Sequence, residues 1–283
     1  MNIIQCLHTE SGNYLWSSGQ VKNNTKYKIQ STPIGVLLHT TGANNPTLKR
    51  YVQPSKKDPN YHNLINLIGL NKNGNSWNRP TLKKGVHYMI GKLADGTVGC
   101  AQMLPDNYAC WGCGAGKKGS YNYYPTQYIQ FEICEDGCTN KDYFLATKNM
   151  AVEFCVSLCK KYGWDATHIT SHNEARLAGY ASSHVDPTNW WKNFNYTMAD
   201  FRAEVQDILD NGEPYAPALG ETVKFIGTKQ YTNANAAESK AKAAKPCNAV
   251  VKRIYRLGKS KHPYQLKGTG VNGFVDAEDI RKL

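Results

Sequence analysis

A chain of 283 residues exceeds the usual size of one domain, so its length predicts a core domain and a smaller module. Its composition, 41% hydrophobic and 11% aromatic, supplies a packed core and excludes an intrinsically disordered protein. The formal net charge of +12 indicates an anionic partner such as nucleic acid, lipid or a wall polymer. No apolar run reaches the roughly 18 residues of a membrane-spanning helix, so no membrane span is expected.

The N-terminal residues and the cysteines indicate the cellular compartment in which the protein folds. Met1 to Cys6 contains no basic segment followed by an apolar one, so no secretory signal is expected. The nine cysteines are an odd number in a chain too large to need disulfides, which favours reduced thiols in a protein folded in a cytoplasm. Cys110 and Cys113 match C-x-x-C, and an inert pair or an occasional disulfide is favoured over redox catalysis.

In chain order, the first thirty residues, with Trp16, predict only a leading strand or two packed on the core. From Pro33 to about Gly212, apolar runs alternate with helical patterns, which predicts an α/β domain. Buried strands are expected at Gly35–His39, Val86–Gly91 and Tyr128–Ile133. Asp95 and Gly96 mark a hairpin turn after the second of these strands.

Two helices are predicted in the same domain. The first runs from about Lys141 to Tyr162, where Gly163 is placed to end it, and it carries an apolar stripe. That stripe consists of Phe144, Ala151, Cys155 and Leu158. The second helix starts at Thr197, with Asp200 three residues later, and ends at Gly212.

A Pro/Gly/Ala-rich linker is predicted at 213–220, between a catalytic domain at 1–212 and a module at 221–283. Short strands in the module predict a small β-barrel or sandwich. They lie at Val223–Ile226, Ala249–Tyr255, Pro263–Leu266 and Gly273–Val275. From Glu221 onward there are 13 Lys and Arg against five Asp and Glu, so the module carries +8 of the net charge.

Three residues have the chemistry and positions of metal ligands. Zinc hydrolases use three protein ligands and leave a fourth position for water. His39 ends a predicted strand, His172 follows a β-like run at Thr167–Thr170, and Asp186 stands in a loop before Pro187. Taken singly, each residue is as readily explained by a core histidine or an ordinary Asp-Pro turn.

The order of these segments resembles the type 2 N-acetylmuramoyl-L-alanine amidases, whose fold is shared with peptidoglycan recognition proteins and T7-type phage lysozyme. The matching segments are His39-Thr-Thr-Gly, Val86-His-Tyr-Met-Ile-Gly, Gln130-Phe-Glu-Ile, Thr170-Ser-His and Asp186-Pro. The resemblance covers about Pro33 to Trp191 and implies a mixed central β-sheet flanked by helices. It also implies Zn²⁺ held by His39, His172 and Asp186, Glu132 as the general base, and His184 as a group that stabilises the transition state.

The chain departs from the family pattern at three places. Val86 replaces a tyrosine that some relatives carry, and the segment Ala109–Gly114 lacks a histidine often found there. The interval from His172 to Asp186 is longer than in compact members. His184 therefore stays open as an alternative third zinc ligand, since imidazole also binds zinc well.

The resemblance implies cleavage of the amide bond between N-acetylmuramic acid and L-alanine in peptidoglycan. Aromatic rings suit sugar faces and peptide stems, and the candidates for substrate contact are Trp111, Tyr121, Tyr123 and Tyr124. The alternatives are a peptidoglycan receptor that binds without cutting and a bacterial autolysin. No motif supports nucleic-acid binding, and a muramidase would need paired carboxylates.

The end of the chain, Gly273-Phe-Val-Asp-Ala-Glu-Asp-Ile280, resembles the bacterial SH3-type modules of cell-wall hydrolases. The resemblance implies that this basic module binds a wall polymer and raises the local concentration of the enzyme. A barrel that merely protects the linker is the alternative. A wall hydrolase without a visible secretory signal is expected to be a phage or prophage endolysin, made in the host cytoplasm and acting on the wall. The oligomeric state is left open.

Overall fold

The structure, a computed structural model, describes residues 1–7, 31–79, 82, 84–212 and 215–283. The chain divides into two compact units, Met1–Val205 and Gln206–Leu283. The predicted boundaries at 212 and 220 stay a prediction, and Trp16 lies outside the described residues. Among the described residues, no helix is both long enough and apolar enough to cross a membrane.

The first unit is built on one mixed sheet. Its strands are β1 (Ile3–Gln5), β2 (Val36–Asn44), β3 (Tyr88–Lys92), β4 (Val98–Gln102), β5 (Ile129–Glu135) and β6 (Ile169–Ser171). They are ordered β1-β4-β3-β5-β2-β6. Strands β3 and β4 pair antiparallel through the predicted turn at Asp95 and Gly96, and the other neighbours pair parallel.

Helices precede and follow these strands. They are α1 (Leu48–Tyr51), α2 (Tyr61–Ile68), α3 (Lys141–Tyr162), α4 (His172–Ala178), α5 (Thr188–Trp191) and α6 (Met198–Asn211). Short 3₁₀ turns lie at Ala166–His168, Lys192–Phe194, Glu238–Lys240 and Ala277–Asp279. The division between the two units falls within α6.

The two faces of the sheet differ in chemistry. Every residue of β5 is buried, as expected for a central strand covered on both faces. On one face, the ring of Phe131 packs against Phe154 of α3, with ring centroids 5.1 Å apart. Because side chains alternate along a strand, Gln130 and Glu132 point to the opposite face. That face carries the polar groups described below.

Helix α3 has the predicted bounds because both of its ends are capped. The side chain of Asn140 accepts a hydrogen bond from the backbone of Tyr143, which satisfies one of the free N–H groups of the first turn. Gly163 ends the helix in the left-handed region, at φ 70°, which a glycine adopts without strain. All four residues of the predicted apolar stripe are buried. Burying a side chain such as Leu158 stabilises the fold by about 1.5–3 kcal/mol.

The second unit is a small all-β structure. Its strands are β7 (Thr222–Phe225), β8 (Lys229–Gln230), β9 (Lys242–Ala243), β10 (Cys247–Ile254), β11 (Tyr264–Gly268), β12 (Asn272–Val275) and β13 (Ile280–Arg281). Five of them form an antiparallel sheet in the order β12-β11-β10-β7-β13, and β8 pairs with β9. Its core includes Phe225, Val251 and Leu266, all fully buried. The predicted fold class, a mixed sheet flanked by helices followed by a small all-β part, is confirmed.

All nine cysteines are free thiols. Seven are buried, and only Cys138 and Cys247 are half-buried. Burial raises the pKa of the Cys113 thiol to about 11, so almost no thiolate is present at neutral pH. This favours an inert role for Cys110 and Cys113 over redox catalysis.

Candidate functional site

Three parallel strands bring His39, Glu132 and His172 close together. In the pairing of β2 with β5, His39 lies opposite Glu132, and in that of β2 with β6, Leu38 lies opposite Ser171. His172 directly follows Ser171, so it emerges beside His39. His39 and Glu132 lie within their strands, and because they are paired in register their side chains point to the same face of the sheet.

His172 is held at the first position of α4 by a capping box. The side chain of Ser171 accepts a hydrogen bond from the backbone of Glu174, whose carboxylate accepts one from the backbone of Ser171. Arg202 donates two hydrogen bonds to the same carboxylate, at 2.9 and 3.0 Å. These contacts fix the start of α4 and with it the imidazole of His172.

His39, His172 and Asp186 converge and could hold a metal ion. Nδ1 of His39 lies 2.9 Å from Nδ1 of His172 and 3.3 Å from a carboxylate oxygen of Asp186. Nδ1 of His172 lies 3.5 Å from the other oxygen of Asp186. All three side chains are buried.

The remaining ring nitrogens of the two histidines have other partners. Nε2 of His39 lies 2.9 Å from Oε1 of Gln130, and Nε2 of His172 lies 3.3 Å from Oγ of Ser182. Such outer contacts orient metal-binding imidazoles in proteins. Both Nδ1 atoms are therefore directed toward Asp186.

The electrostatics of these groups are strongly coupled. Burial alone would lower the pKa of His39, but Asp186 and Glu132 beside it raise that pKa overall. Burial and the neighbouring His39 lower the pKa of His172 to about 4. Burial opposes the carboxylate of Asp186, yet the two imidazoles hold the pKa of Asp186 below its ordinary value. In the metal-free protein these contacts stabilise positive charge on His39 beside the carboxylate of Asp186.

Glu132 borders the three converging residues and lacks a partner for one oxygen. Its Oε2 atom is buried without a hydrogen-bond partner among the described residues. Burial raises the pKa of Glu132 to about 8; His39 opposes this rise, and Asp186 and Glu135 add to it. A carboxyl group with a pKa near neutrality can both take up and release a proton.

An open cleft of about 400 Å³ leads to these residues. Its walls include Trp77, Lys84 and Trp111, and its floor includes Glu132. His184 also lines the cleft, with 68% of its side chain exposed, and its ring stacks on His172 with centroids 4.8 Å apart. Nδ1 of His184 is 4.0 Å from Asp186, so His184 lies at the mouth of the site and Asp186 lies within it.

No family model matches this chain, and no curated protein sequence matches it. Solved structures are similar to it at low identity. The structure of PlyL shares 18% identity at a TM-score of 0.46, covering 73% of this chain and 98% of that chain. The structure of Staphylococcus aureus hydrolase AmiA in complex with its ligand shares 16% identity at a TM-score of 0.44, covering 74% of this chain and 85% of that chain. The structure of a mutant endolysin from Bacillus subtilis shares 18% identity at a TM-score of 0.42, covering 72% of this chain and 98% of that chain. At these values the likeness carries no conclusion about activity, and the functional proposal rests on this chain's own side chains.

The four residues predicted to contact substrate lie in different places. Trp111 lines the cleft, but among the described residues that line it none is Tyr121, Tyr123 or Tyr124. The ring of Tyr121 packs between Tyr128 and Tyr180, with centroids 4.2 and 4.8 Å away. The role of the three tyrosines in substrate contact stays a prediction.

The sequence analysis did not predict helix α4 or several residues of the site. Helix α4 was detectable, because Ser171 and Glu174 have the S-x-x-E spacing of a capping box. Gln130 alternates with Glu132 on β5, which places both on one face, but nothing in the pattern indicates its contact with His39. Trp77 and Lys84 reach the cleft from loops, for which no periodicity exists.

A second group with metal-binding chemistry lies in the second unit. It consists of Glu238, His262 and Asp276. Nδ1 of His262 bonds to Asp276, and its Nε2 lies 3.2 Å from the backbone oxygen of Ala236. The ring also stacks on Tyr231 at 3.4 Å between centroids. Because both nitrogens already face oxygen acceptors, we interpret His262 as a structural residue that connects Asp276 with the backbone of Ala236.

Proposed function

We propose that this protein is a zinc-dependent amidase that cleaves the bond between N-acetylmuramic acid and L-alanine in peptidoglycan. The observation that carries the proposal is the convergence of His39, His172 and Asp186 beside the unpartnered carboxylate oxygen of Glu132, at the floor of an open cleft. The sequence resemblance supplies the identity of the bond. The geometry supports metal-assisted hydrolysis as the reaction class.

The three converging side chains fit zinc in composition and spacing. Two imidazoles and one carboxylate leave the fourth position of a tetrahedral ion open, as hydrolytic zinc sites require. Tetrahedral bonds of about 2.0–2.1 Å place ligand atoms roughly 3.3 Å apart, close to the separations of Asp186 from the two histidines, whereas the two Nδ1 atoms lie nearer, at 2.9 Å. Bound zinc would supply a Lewis acid and a water molecule of lowered pKa.

Glu132 is proposed to carry the proton transfer. Its Oε2 accepts the proton of the attacking water and returns it to the amide nitrogen, so that the alanine leaves as a neutral amine. Val86 stands where some relatives carry a tyrosine, and it offers no second acid or base. Glu132 therefore performs both proton transfers.

His184 is proposed to stabilise the developing negative charge on the carbonyl oxygen. It lies at the mouth of the cleft, stacked on His172, where it can approach a substrate from the solvent side. A single hydrogen-bond donor of this kind contributes about 3–4 kcal/mol, or roughly 10²–10³ in rate. Trp111 and Trp77 provide apolar walls for a sugar face or a peptide stem.

The test is a digest of purified bacterial wall in which new amino termini and new reducing ends are counted separately. We expect new alanine amino termini without reducing ends, lost on chelation and restored by zinc. New reducing ends would instead identify a glycosidase and refute the assignment. Sedimentation with the wall without any release would favour the receptor that binds without cutting.

We also propose that the second unit binds an anionic wall polymer. An exposed basic segment, here called the basic arm, covers 252–261 at the end of β10 and the turn after it. Its cations are Lys252, Arg253, Arg256, Lys259 and Lys261, all exposed. No Asp or Glu occurs between Glu238 and Asp276, so no acidic side chain in this part of the chain neutralises them. Tyr255 and Leu257 add exposed apolar surface beside the charges.

The basic arm can be tested by charge removal in the full-length protein. We expect the quadruple variant K252Q/R253Q/R256Q/K259Q to bind walls about tenfold more weakly and with a flatter dependence on NaCl, because fewer charges are screened. The variant K240Q/K242Q/K245Q/K267Q removes the same charge elsewhere in the unit and serves as the control. Equal losses in both variants, or unchanged binding of the wild type to walls stripped of anionic polymers, would contradict a specific role for the basic arm.

A further inference from the structure

The side chain of Asn122 is locked in one orientation by the backbone around it. Its Oδ1 accepts hydrogen bonds from the backbone N–H groups of Gly112 and Cys113, both at 3.1 Å. Its Nδ2 donates to the backbone oxygen of Gly114 at 3.0 Å. A backbone N–H only donates and a carbonyl only accepts, so the amide of Asn122 cannot be reversed.

The orientation of Asn122 fixes that of Gln130. The Nε2 atom of Gln130 lies 3.0 Å from Oδ1 of Asn122 and 3.2 Å from the backbone oxygen of Tyr121, and both of these atoms are acceptors. Gln130 is fully buried, so no solvent competes for its amide. Its Oε1 atom is therefore the end that faces His39.

The orientation of Gln130 in turn fixes the protonation pattern of His39. Nε2 of His39 lies 2.9 Å from Oε1 of Gln130, which can only accept, so Nε2 carries the hydrogen. In the neutral ring the lone pair then belongs to Nδ1, the atom that faces His172 and Asp186. The other tautomer would point an N–H into the site and leave two lone pairs facing each other at Gln130.

Gly112 is required for this arrangement. A Cβ atom at position 112 would lie 2.3 Å from Oε1 of Gln130 and 2.7 Å from Cγ1 of Val86. Any larger residue would push the acceptor of Gln130 away from His39.

We infer that Gln130 is a positioning residue that transmits the geometry of the 112–114 loop, through Asn122, to the tautomer of His39. Gln130 is not among the described residues that line the cleft, so it acts through His39. The inference rests on the proposed function only in that Nδ1 of His39 is expected to bind a metal ion. The tautomer itself is a property of the metal-free protein.

The test compares three full-length variants with the wild type. Gln130→Met removes the acceptor at similar volume, and Gly112→Ala displaces the acceptor while Gln130 remains. Gln127→Met is the control, because Gln127 is equally buried and its Nε2 donates to the backbone of Asp106 and Tyr108. Two quantities are measured: the ¹⁵N shifts of the His39 ring in metal-free protein at a pH where the ring is neutral, and the dissociation constant for Zn²⁺ by chelator competition.

In the wild type and in Gln127→Met we expect a single tautomer with hydrogen on Nε2. In Gln130→Met and Gly112→Ala we expect a mixture of tautomers and a Zn²⁺ dissociation constant about 10–100-fold higher. A single unchanged tautomer in both site variants, with zinc affinity within threefold of wild type, would overturn the inference. If the wild type failed to release alanine termini from wall, the amidase proposal would fail, and the tautomer measurement would still decide the role of Gln130.

Discussion

Burial and neighbouring charges shift the pKa values of Glu132 and His172 in opposite directions within one site. The pKa of Glu132 is raised to about 8, and that of His172 is lowered to about 4. A divalent cation among His39, His172 and Asp186 would favour the carboxylate of Glu132 and lower its pKa. The base would then be ionised at neutral pH when the metal is bound.

Replacing Glu132 by Gln should separate metal binding from proton transfer. We expect the E132Q variant to retain zinc, because Glu132 is not among the three converging ligands, and to lose turnover by about 10²–10⁴-fold. Zinc content by atomic absorption and released alanine termini are the two measurements. Turnover within tenfold of wild type would remove Glu132 from the mechanism.

Asp186 and His184 can be distinguished as the third ligand by the same pair of measurements. The Asp186→Ala variant should lose zinc, because Asp186 is buried and contacts both histidines. His184→Ala should keep zinc and lose turnover by roughly 10²–10³-fold. The reverse pattern, with zinc lost only from the His184 variant, would assign the ligand to His184.

At the level of elements, His87 joins β5 to the loop that follows β4. Its Nδ1 accepts a hydrogen bond from the backbone N–H of Gln130 at 2.9 Å, and its Nε2 donates to the backbone oxygen of Tyr108 at 2.8 Å. His87 is fully buried, and burial lowers its pKa below the ordinary value of 6.5. The folded protein therefore holds this ring neutral.

The buried ring of His87 predicts a dependence of stability on pH. Below about pH 6.5 the unfolded chain protonates His87 before the folded chain does, so the free energy of unfolding falls as the pH falls, by at most about 1.4 kcal/mol per unit. Urea unfolding of metal-free protein at pH 7.5 and 5.5 should show a smaller decrease in the free energy of unfolding in His87→Gln than in the wild type, by up to about 1.4 kcal/mol. The exposed His62, changed to Gln, should leave the wild-type slope intact; equal slopes in all three proteins would contradict the prediction.

The sequence predicts elements well where local chemistry decides them. The bounds of α3 follow from Asn140, an apolar stripe and Gly163, and α6 begins after Thr197 as its hydrogen bonds with Asp200 require. Strand β2 runs five residues beyond the predicted end at His39, because its pairing with β5 continues past that point. Such an extension depends on a partner strand, which lies about ninety residues away in the chain.

The main residues of the site were predictable from the sequence, whereas the orientation of their side chains was not. His39, His172 and Glu132 each follow from strand position and the resemblance, and the structure brings them together with Asp186. The orientation of the imidazoles was not predictable, because it depends on Gln130 and Ser182, which contact them from other segments. The lining of the cleft by Trp77 and Lys84 likewise results from tertiary packing.

At the scale of the whole molecule, zinc binding should stabilise the first unit and leave the stability of the second unit unchanged. The three converging ligands all belong to the first unit, and the alternative group in the second unit has both nitrogens of His262 engaged. A ligand present at 100 times its dissociation constant stabilises the folded state by about 2.7 kcal/mol. Hydrogen exchange with and without zinc should therefore show added protection in β2, β5 and β6, and none in β7 to β13. Protection that appears in the second unit would indicate a metal site there.

The buried free thiols can report the opening of the folded chain through their reactivity. Cys247 is the single cysteine of the second unit, and the other eight lie in the first. Cys138 and Cys247 are half-buried, whereas the remaining seven can meet an alkylating reagent only after local or global opening. The rate at which each of these seven buried cysteines is labelled, read by mass spectrometry, would thus give the opening rate of the first unit without any engineered probe, whereas labelling of Cys247 would not require opening of the second unit.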